Sequence, residues 1–402
     1  MAPLPSSTRF ALEPSTPSSP IVPPPAPEPA PLTAAPDTSG SGAVPAPVPE
    51  PPRSVCLLRL SAIGDTCHVV PLLRALQRAW PQARFTWIIG RIEARLMTPL
   101  LPEVEFITVD KRAGFGALRT LRRQLAGRHF DLLLHLQLAL RASLVSTMVR
   151  ARRRIGFDRA RARELQWLFT DEQVAPRQRE HVLDSFLGFA TALGVEPQPL
   201  RWDLPLPPDA LAYARALVPE TPQENPAASG TLVISACSSH ALRNWSAARY
   251  AAVARHAVQR HGMRVILSGG PAALEREMAA AIARHSGVPV LDQVGKDTLP
   301  QLLALLARAT VLLSPDSGPV HMATLVDLPV IGLYAATNPA RSGPYRSRAH
   351  CVDAYARAAA RFRNSTPEQL PWTTKIERPG VMDLIEVDEV CARLDALLGS
   401  RP

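Results

Sequence analysis

The sequence has little that would cross-link its parts or carry it through a bilayer. Its five cysteines, at 56, 67, 237, 351 and 391, are odd in number and scattered, without a C-x-x-C pair. That excludes a disulfide framework and a cysteine-type zinc site, and predicts a reducing, cytoplasmic setting. No stretch reaches the ~18 unbroken apolar residues of a membrane-spanning helix; the best contender, Leu132 to Val149, is cut by His135 and Arg141. Prolines interrupt the first residues throughout, so no signal-peptide core stands there. Aromatic residues are only 5% of the chain and do not interleave with the basic ones, which removes the stacking platform of a nucleic-acid binder. Glycine-rich nucleotide motifs are missing as well. Gly114-Phe115-Gly116 runs on as Ala117, Leu118 and Arg119, not G-x-G-x-x-G, and Gly295-Lys296 is followed by Asp297 without the partner glycine of a Walker A loop. Dehydrogenases and P-loop ATPases are thereby disfavoured.

What is present is length, charge and alternation. The chain has 402 residues, 46% hydrophobic and 20% charged, which suits two or three soluble globular domains. Proline is concentrated at the start, with 17 of the 42 in residues 1–53, so this segment reads as a disordered extended tail. Residues 1–52 hold one base, Arg9, against Glu13, Glu28, Asp37 and Glu50, so the overall net charge of +10 understates how basic the remainder is. Such a body suits an anionic partner, whether nucleic acid, membrane face or phosphorylated substrate. Nearly all the cations are arginine; only Lys111, Lys296 and Lys375 are lysine.

From Ser54 onward short apolar runs alternate with helical patterns. Val55–Leu60, Phe85–Ile89, Phe106–Val109 and Phe130–Leu136 read as strands, with helices over about 66–80, 93–101 and 117–125 between or after them. A second proline-rich stretch at 206–230 reads as a linker flanking a short helix. Alternation then resumes, with strands at 232–235, 264–268, 288–291, 309–313 and 330–334 and helices at 247–261, 298–308 and 320–326. The expectation is an α/β protein of two doubly wound, Rossmann-like domains, 54–205 and 231–382, followed by a helix within 383–402. Ligands belong in the cleft at the carboxyl ends of the strands.

Several loops at such strand ends carry chemistry. Ser314 to His321 leaves a strand and opens a helix: Asp316 or Ser317 can cap it, Pro319 suits its first turn, and Gly318 lets an anion approach the free N–H groups with His321 one turn in. An ordinary capped helix with a core histidine fits equally well. Ser238, Ser239 and Arg243 follow the strand at 232–235 and suit a diphosphate, or simply line a surface loop. Ser268-Gly269-Gly270 precedes the helix carrying Glu275, and Gly295 to Thr298 precedes another; either can be only a turn or a cap. In the first domain Asp65 follows Ser61 and Gly64 in the first strand-to-helix turn. It can serve as a general base, although a helix N-terminus weakens a carboxylate for that task and suits it to capping. The arginines at 150, 152–154, 159, 161 and 163 read as a solvated face unless the substrate is an anion.

Together these segments resemble glycosyltransferase family nine, the ADP-heptose:lipopolysaccharide heptosyltransferases. The resemblance rests on Arg59-Leu60-Ser61-Ala62-Ile63-Gly64-Asp65, Arg154-Ile155-Gly156-Phe157, Gly295–Leu299, Asp316–His321 and Ala335–Pro339, in that order. Residues 157–170 and 374–382 look like the heptosyltransferase I-type branch. The resemblance implies a GT-B fold and inverting transfer without metal or other cofactor. The substrates implied are ADP-heptose and Kdo-lipid A at the inner face of the cytoplasmic membrane, where contact would be peripheral and electrostatic. It implies Asp65 as general base and Asp316 near the donor sugar. Ser238, Ser239, Arg243, Glu275, Lys296, Asp297, Thr298, Ser317, Gly318 and His321 then fall on the donor side, and Arg59, Ser61, Gly64 and Arg163 on the acceptor side. A transferase for another nucleotide sugar, a GT-B-like epimerase and a non-catalytic nucleotide-sugar-binding scaffold are the alternatives.

Overall fold

The computed structural model describes residues 50–110, 114–219 and 230–399. The expected disordered tail, apart from its last residues, lies outside them, as does part of the expected linker. The first half contains β1 (Ser54–Leu58), β2 (Arg84–Gly90), β3 (Glu105–Val109), β4 (Phe130–His135), β5 (Ala151–Gly156) and β6 (Glu172–Gln173). The second contains β7 (Thr231–Ile234), β8 (Arg264–Leu267), β9 (Leu291–Asp292), β10 (Val311–Pro315), β11 (Val330–Tyr334) and β12 (Val352–Asp353). Helices α1 (Ile63–Ala79), α2 (Arg91–Leu100), α3 (Gly114–Gln124), α4 (Leu140–Ser146), α5 (Val182–Ala192) and α6 (Pro208–Leu217) connect the first set and lead to the second. There follow α7 (Ala247–His261), α8 (Ala273–Ser286), α9 (Leu299–Arg308), α10 (Gly318–Leu325), α11 (Pro339–Ser342), α12 (Tyr355–Arg363) and α13 (Val387–Gly399).

Each half has one six-stranded sheet, parallel throughout, in the orders β3-β2-β1-β4-β5-β6 and β12-β11-β10-β7-β8-β9. Counted from its own first strand, each sheet has the doubly wound order 3-2-1-4-5-6. The order in which strands are added therefore reverses between β1 and β4 and between β7 and β10, and a crevice opens there at the strands' carboxyl ends. Strands such as β1 and β11 are buried along nearly their whole length, because helices cover both sheet faces. One apolar cluster runs through both halves: Leu72 and Leu76 of α1 and Phe186 of α5 share it with Leu303 of α9 and Val320 of α10. The halves meet along α1 with α10 and α2 with α9.

Three expectations need correction. Helix α1 starts at Ile63, not Thr66, so Gly64 and Asp65 lie in its first turn rather than in the preceding loop. The strand expected at 288–291 shrinks to Leu291–Asp292, since Gly287 ends α8 in the left-handed region and Pro289 has no N–H to pair. The arginine run at 150–154 is not simply a solvated face: β5 occupies it. Arg153 forms a fork with Glu172 (2.5 and 2.6 Å), and Arg154 donates to the carbonyls of Ser146 (2.8 Å) and Val149. Within 206–230, α6 packs on α9 through Ala210, Ala214 and Ala304.

Candidate active site

The turn after β1 and the turn after β10 bring two helix N-termini face to face. A Cβ added at Gly64 would lie 2.3 Å from His321 Cδ2, so only glycine lets α1 approach α10 this closely. Gly318 in turn faces Ile63 at ordinary contact distance, 3.6 Å. Two dipoles thus point their positive ends at one place, which favours an anion there.

The two ends are furnished differently. At α1, Asp65 accepts the Ala62 N–H (3.2 Å) and pairs with Arg59. Burial pushes this carboxyl up, but Arg59, the Ala62 N–H and His321 together hold it below the usual aspartate value. Asp65 is therefore ionised at neutral pH and is a weak base. At α10 the expected cap is missing. Neither Asp316 nor Ser317 caps the first turn with its side chain; the Ser317 hydroxyl bonds instead to Ser314 Oγ at 2.9 Å. His321 Nε2 lies 3.9 Å from Asp316 Oδ1, and burial keeps the imidazole below its ordinary pKa although Asp316 and Asp65 pull the other way.

Arg243, in the turn Ala241–Arg243, is buried. Glu377 Oε1 accepts from its Nε (2.8 Å) and its NH2 (2.7 Å), and NH1 points to Asp316 Oδ2 at 3.4 Å. Ser238 is buried, and its N–H donates to Asn244 Oδ1 (2.7 Å); Ser239 is exposed. Past β8, Glu275 accepts the Gly270 N–H, and a Cβ at Gly269 would meet Glu275 Oε2 at 2.5 Å. Burial pushes Asp297 up to about 6, with Glu275 adding to the effect. Thr298 caps α9 reciprocally with Gln301, and Lys296 donates to the Asp292 carbonyl (2.5 Å), so these two have local structural duties.

On the other side of the cleft Arg59 is committed to Asp65 and to the Leu136 carbonyl (2.6 Å), beneath the Phe186 ring. Ser61 Oγ accepts from Gln137 Nε2 (3.3 Å), whose Oε1 accepts the Leu60 N–H (2.6 Å). Arg163 is exposed and reaches Thr373 of the second half. The expected residues thus divide among the opposed helix ends, the carboxyl ends of β7, β8 and β9, the β1/β4 ends that hold Arg59 and Ser61, and the 163–373 contact.

The sequence reading missed five contributors. Arg341 of α11 feels both Asp65 and Asp316, and burial lowers its pKa. Lys375 lies within electrostatic reach of Arg243, Glu377, Arg341 and Asp316. The only signal for these two and Glu377 was their place in or just past motif segments, 335–339 and 374–382. His68 is fully buried, its ring edge-on to His321 (4.7 Å between centroids) and to His181 (5.3 Å). His181 bridges the halves: Nδ1 accepts the Leu183 N–H (3.0 Å), so Nε2 carries the proton given to the Gly343 carbonyl (2.9 Å). Nothing in the local pattern marks these imidazoles.

Among the described residues one group brings metal-ligating atoms close together: His256, His261 and Asp395. It lies toward the C-terminal end of α7, away from the strand ends that carry the cleft, and both Nε2 atoms are 2.6 Å from Asp395 Oδ1.

Two 3-2-1-4-5-6 sheets with their switch points facing one another make this a GT-B fold. The sequence pattern of glycosyltransferase family 9 (heptosyltransferase) matches residues 118–371. The lipopolysaccharide core heptosyltransferase OpsX of Haemophilus influenzae is 37% identical over 346 residues, 86% of this chain and 97% of that protein. Two solved structures share the fold. A family 9 glycosyltransferase from Veillonella parvula has a TM-score of 0.70 at 20% identity over 87% of this chain and 98% of its own. Escherichia coli heptosyltransferase WaaC with ADP has a TM-score of 0.64 at 20% identity over 86% and 99%. The chain belongs to glycosyltransferase family 9 and is an enzyme of that family.

Proposed function

We propose that this enzyme transfers L-glycero-D-manno-heptose from ADP-heptose to a Kdo residue of the lipopolysaccharide inner core, with inversion. The observation that carries the reading is the pair of opposed helix ends, one holding Asp65 and the other left uncapped beside Arg243 and Arg341. The names of the Haemophilus and E. coli proteins support the donor and the product class.

In this mechanism the acceptor hydroxyl oxygen bonds to the anomeric carbon as the bond from that carbon to the diphosphate oxygen breaks. The hydroxyl proton passes to Asp65 and ADP departs with the electron pair. Asp65 is in the right protonation state at neutral pH, and its low basicity suits a proton that becomes acidic only as the new bond forms. The negative charge that grows on the diphosphate meets the α10 N-terminus, Arg243, Arg341 and Lys375. Glu377 fixes Arg243 at Nε and NH2 and thereby aims NH1 at the cleft, and no metal is assigned a role. Glu275 and Asp297 at the β8 end are assigned to the nucleoside, and Arg163 to the anionic acceptor. No helix among the described residues is long and apolar enough to cross a membrane, and a basic cytoplasmic enzyme would meet its lipid-borne acceptor from the surface.

The test is incubation of pure protein with ADP-heptose and Kdo-lipid A, with ADP release and the mass of the glycolipid as readouts. Release of ADP with one heptose gained supports the reading. Conversion of the sugar nucleotide without acceptor would make the protein an epimerase, and tight ADP-heptose binding with no turnover would make it a scaffold.

A further inference from the structure

Helix α4 and the 3-10 turn Gln166–Phe169 pack against each other beside the loop that carries Arg163, and Glu164 Oε2 accepts the Leu140 N–H at 2.5 Å. Their outward sides are apolar. Leu140 and Leu144, one α-helical turn apart, are 43% and 48% exposed; Leu165 and Leu168, one 3-10 turn apart, are 54% and 57% exposed. Half of the eight large exposed hydrophobic side chains among the described residues therefore stand on these two adjoining turns. A lone exposed leucine needs no explanation, but a cluster does.

The rim is mainly basic, with three exposed arginines against one exposed acid, Glu164. Arg141, Arg159 and Arg163 are exposed around the leucines, and Arg159 lies over the half-buried Trp167 ring at 4.4 Å. The acid of the patch, Glu164, is engaged at the start of α4. Leucines ringed by guanidinium groups match an anionic bilayer surface, where apolar side chains enter the acyl boundary and arginines reach the headgroup phosphates. A protein partner is a poorer match, since interface cores favour aromatic anchors and this patch exposes aliphatic ones.

We infer that Leu140, Leu144, Leu165 and Leu168 insert into the interfacial zone of an anionic membrane. The docked chain then presents the 163–373 side of its cleft to an acceptor embedded in that membrane. Insertion, rather than charge attraction alone, anchors the enzyme. The inference rests on the lipid-borne acceptor of the proposed function.

The experiment is flotation of the full chain with phosphatidylcholine vesicles containing 30% phosphatidylglycerol, at 0.1 and 0.5 M NaCl. Wild type should bind at both salt concentrations, more weakly at the higher one. Leu144→Asp/Leu168→Asp should lose at least about tenfold in vesicle affinity and all salt-resistant binding. It should keep wild-type circular dichroism and wild-type turnover on a deacylated, water-soluble Kdo acceptor, because both leucines face solvent. Arg159→Gln should steepen nothing at 0.5 M and weaken binding only at 0.1 M. Equal vesicle binding by wild type and the double variant, or no binding by wild type, overturns the inference. So does a double variant that turns a dimer into a monomer in light scattering while vesicle binding is unchanged, for the patch then serves a second copy. Vesicle binding with this mutational pattern, but no turnover on either acceptor, upholds docking and sinks the transferase reading instead.

Discussion

The turn after β1 and the turn after β10 occupy comparable places in two sheets of the same winding, yet their helix N-termini are finished in opposite ways. At α1 the chain supplies its own carboxylate, Asp65, locked to Arg59 and the Ala62 N–H. At α10 the nearby serine turns away to Ser314 and leaves the first turn open. One end already holds a carboxylate of its own; the other has no side-chain cap. The same winding places both at strand carboxyl ends, and only the side chains there make the two ends differ.

The sharpest way to break this comparison is to remove the carboxylate. Asp65→Ala should lower transfer by on the order of 10³-fold while ADP affinity, measured by calorimetry, stays within about threefold of wild type. A parallel loss of ADP binding would place Asp65 on the donor side and end its assignment as base.

Acid should test the imidazoles of lowered pKa next, a set that His321 and His350 extend into the second half. Burial holds His135 at about 4, His181 at about 3 and His68 well below its ordinary value, and all three belong to the first half. These imidazoles are neutral when folded, whereas in the unfolded chain they bind protons below about pH 6.5. Their contribution to stability is therefore full above pH 6.5 and is lost as pH falls toward 4 and then 3. His135 and His181 each contribute roughly 1.4 kcal/mol per pH unit across their windows, and His68 acts in the same direction. Urea unfolding at pH 7.5 and 5.5 should show the decline, and His135→Gln should flatten it. An unchanged midpoint would mean that these rings are charged in the native state.

The glycines at the two helix starts offer a finer contrast. Gly64→Ala must push His321 or α1 aside and should cost about 1–3 kcal/mol, read as a lowered thermal midpoint. Gly318→Ala adds a methyl at ordinary contact with Ile63 and should shift the midpoint by less than about half as much. Equal effects would show that α10 does not press on α1 as described. The smallest effect concerns caps. Thr298→Ala removes a reciprocal cap and should cost about 1 kcal/mol, whereas Ser317→Ala, which removes no cap, should stay within about 0.5 kcal/mol.

Much of the fold was legible because parallel strands buried on both faces leave unbroken apolar runs, as at Val55–Leu58 and Val330–Tyr334. Strand β5 was not, because its arginines find partners in Glu172 and backbone carbonyls that lie elsewhere in the chain. In the site, Asp316 and Gly318 were readable from the strand-loop-helix pattern. Arg341 and His68 were not, since neither stands in a recognisable local pattern and each matters only through what packs against it.

Sequence alone settled the alternation of strands and helices, the winding it compels and the loops that must lie at the strand ends, because hydrophobic periodicity and turn chemistry act over a few residues. Tertiary structure decided which charges meet: that Arg59 is held by Asp65, that Arg243 is fixed by Glu377 some 134 positions away, and that α10 goes uncapped. Coulomb forces and desolvation depend on distance in space, and no local pattern records a distance between residues so far apart along the chain.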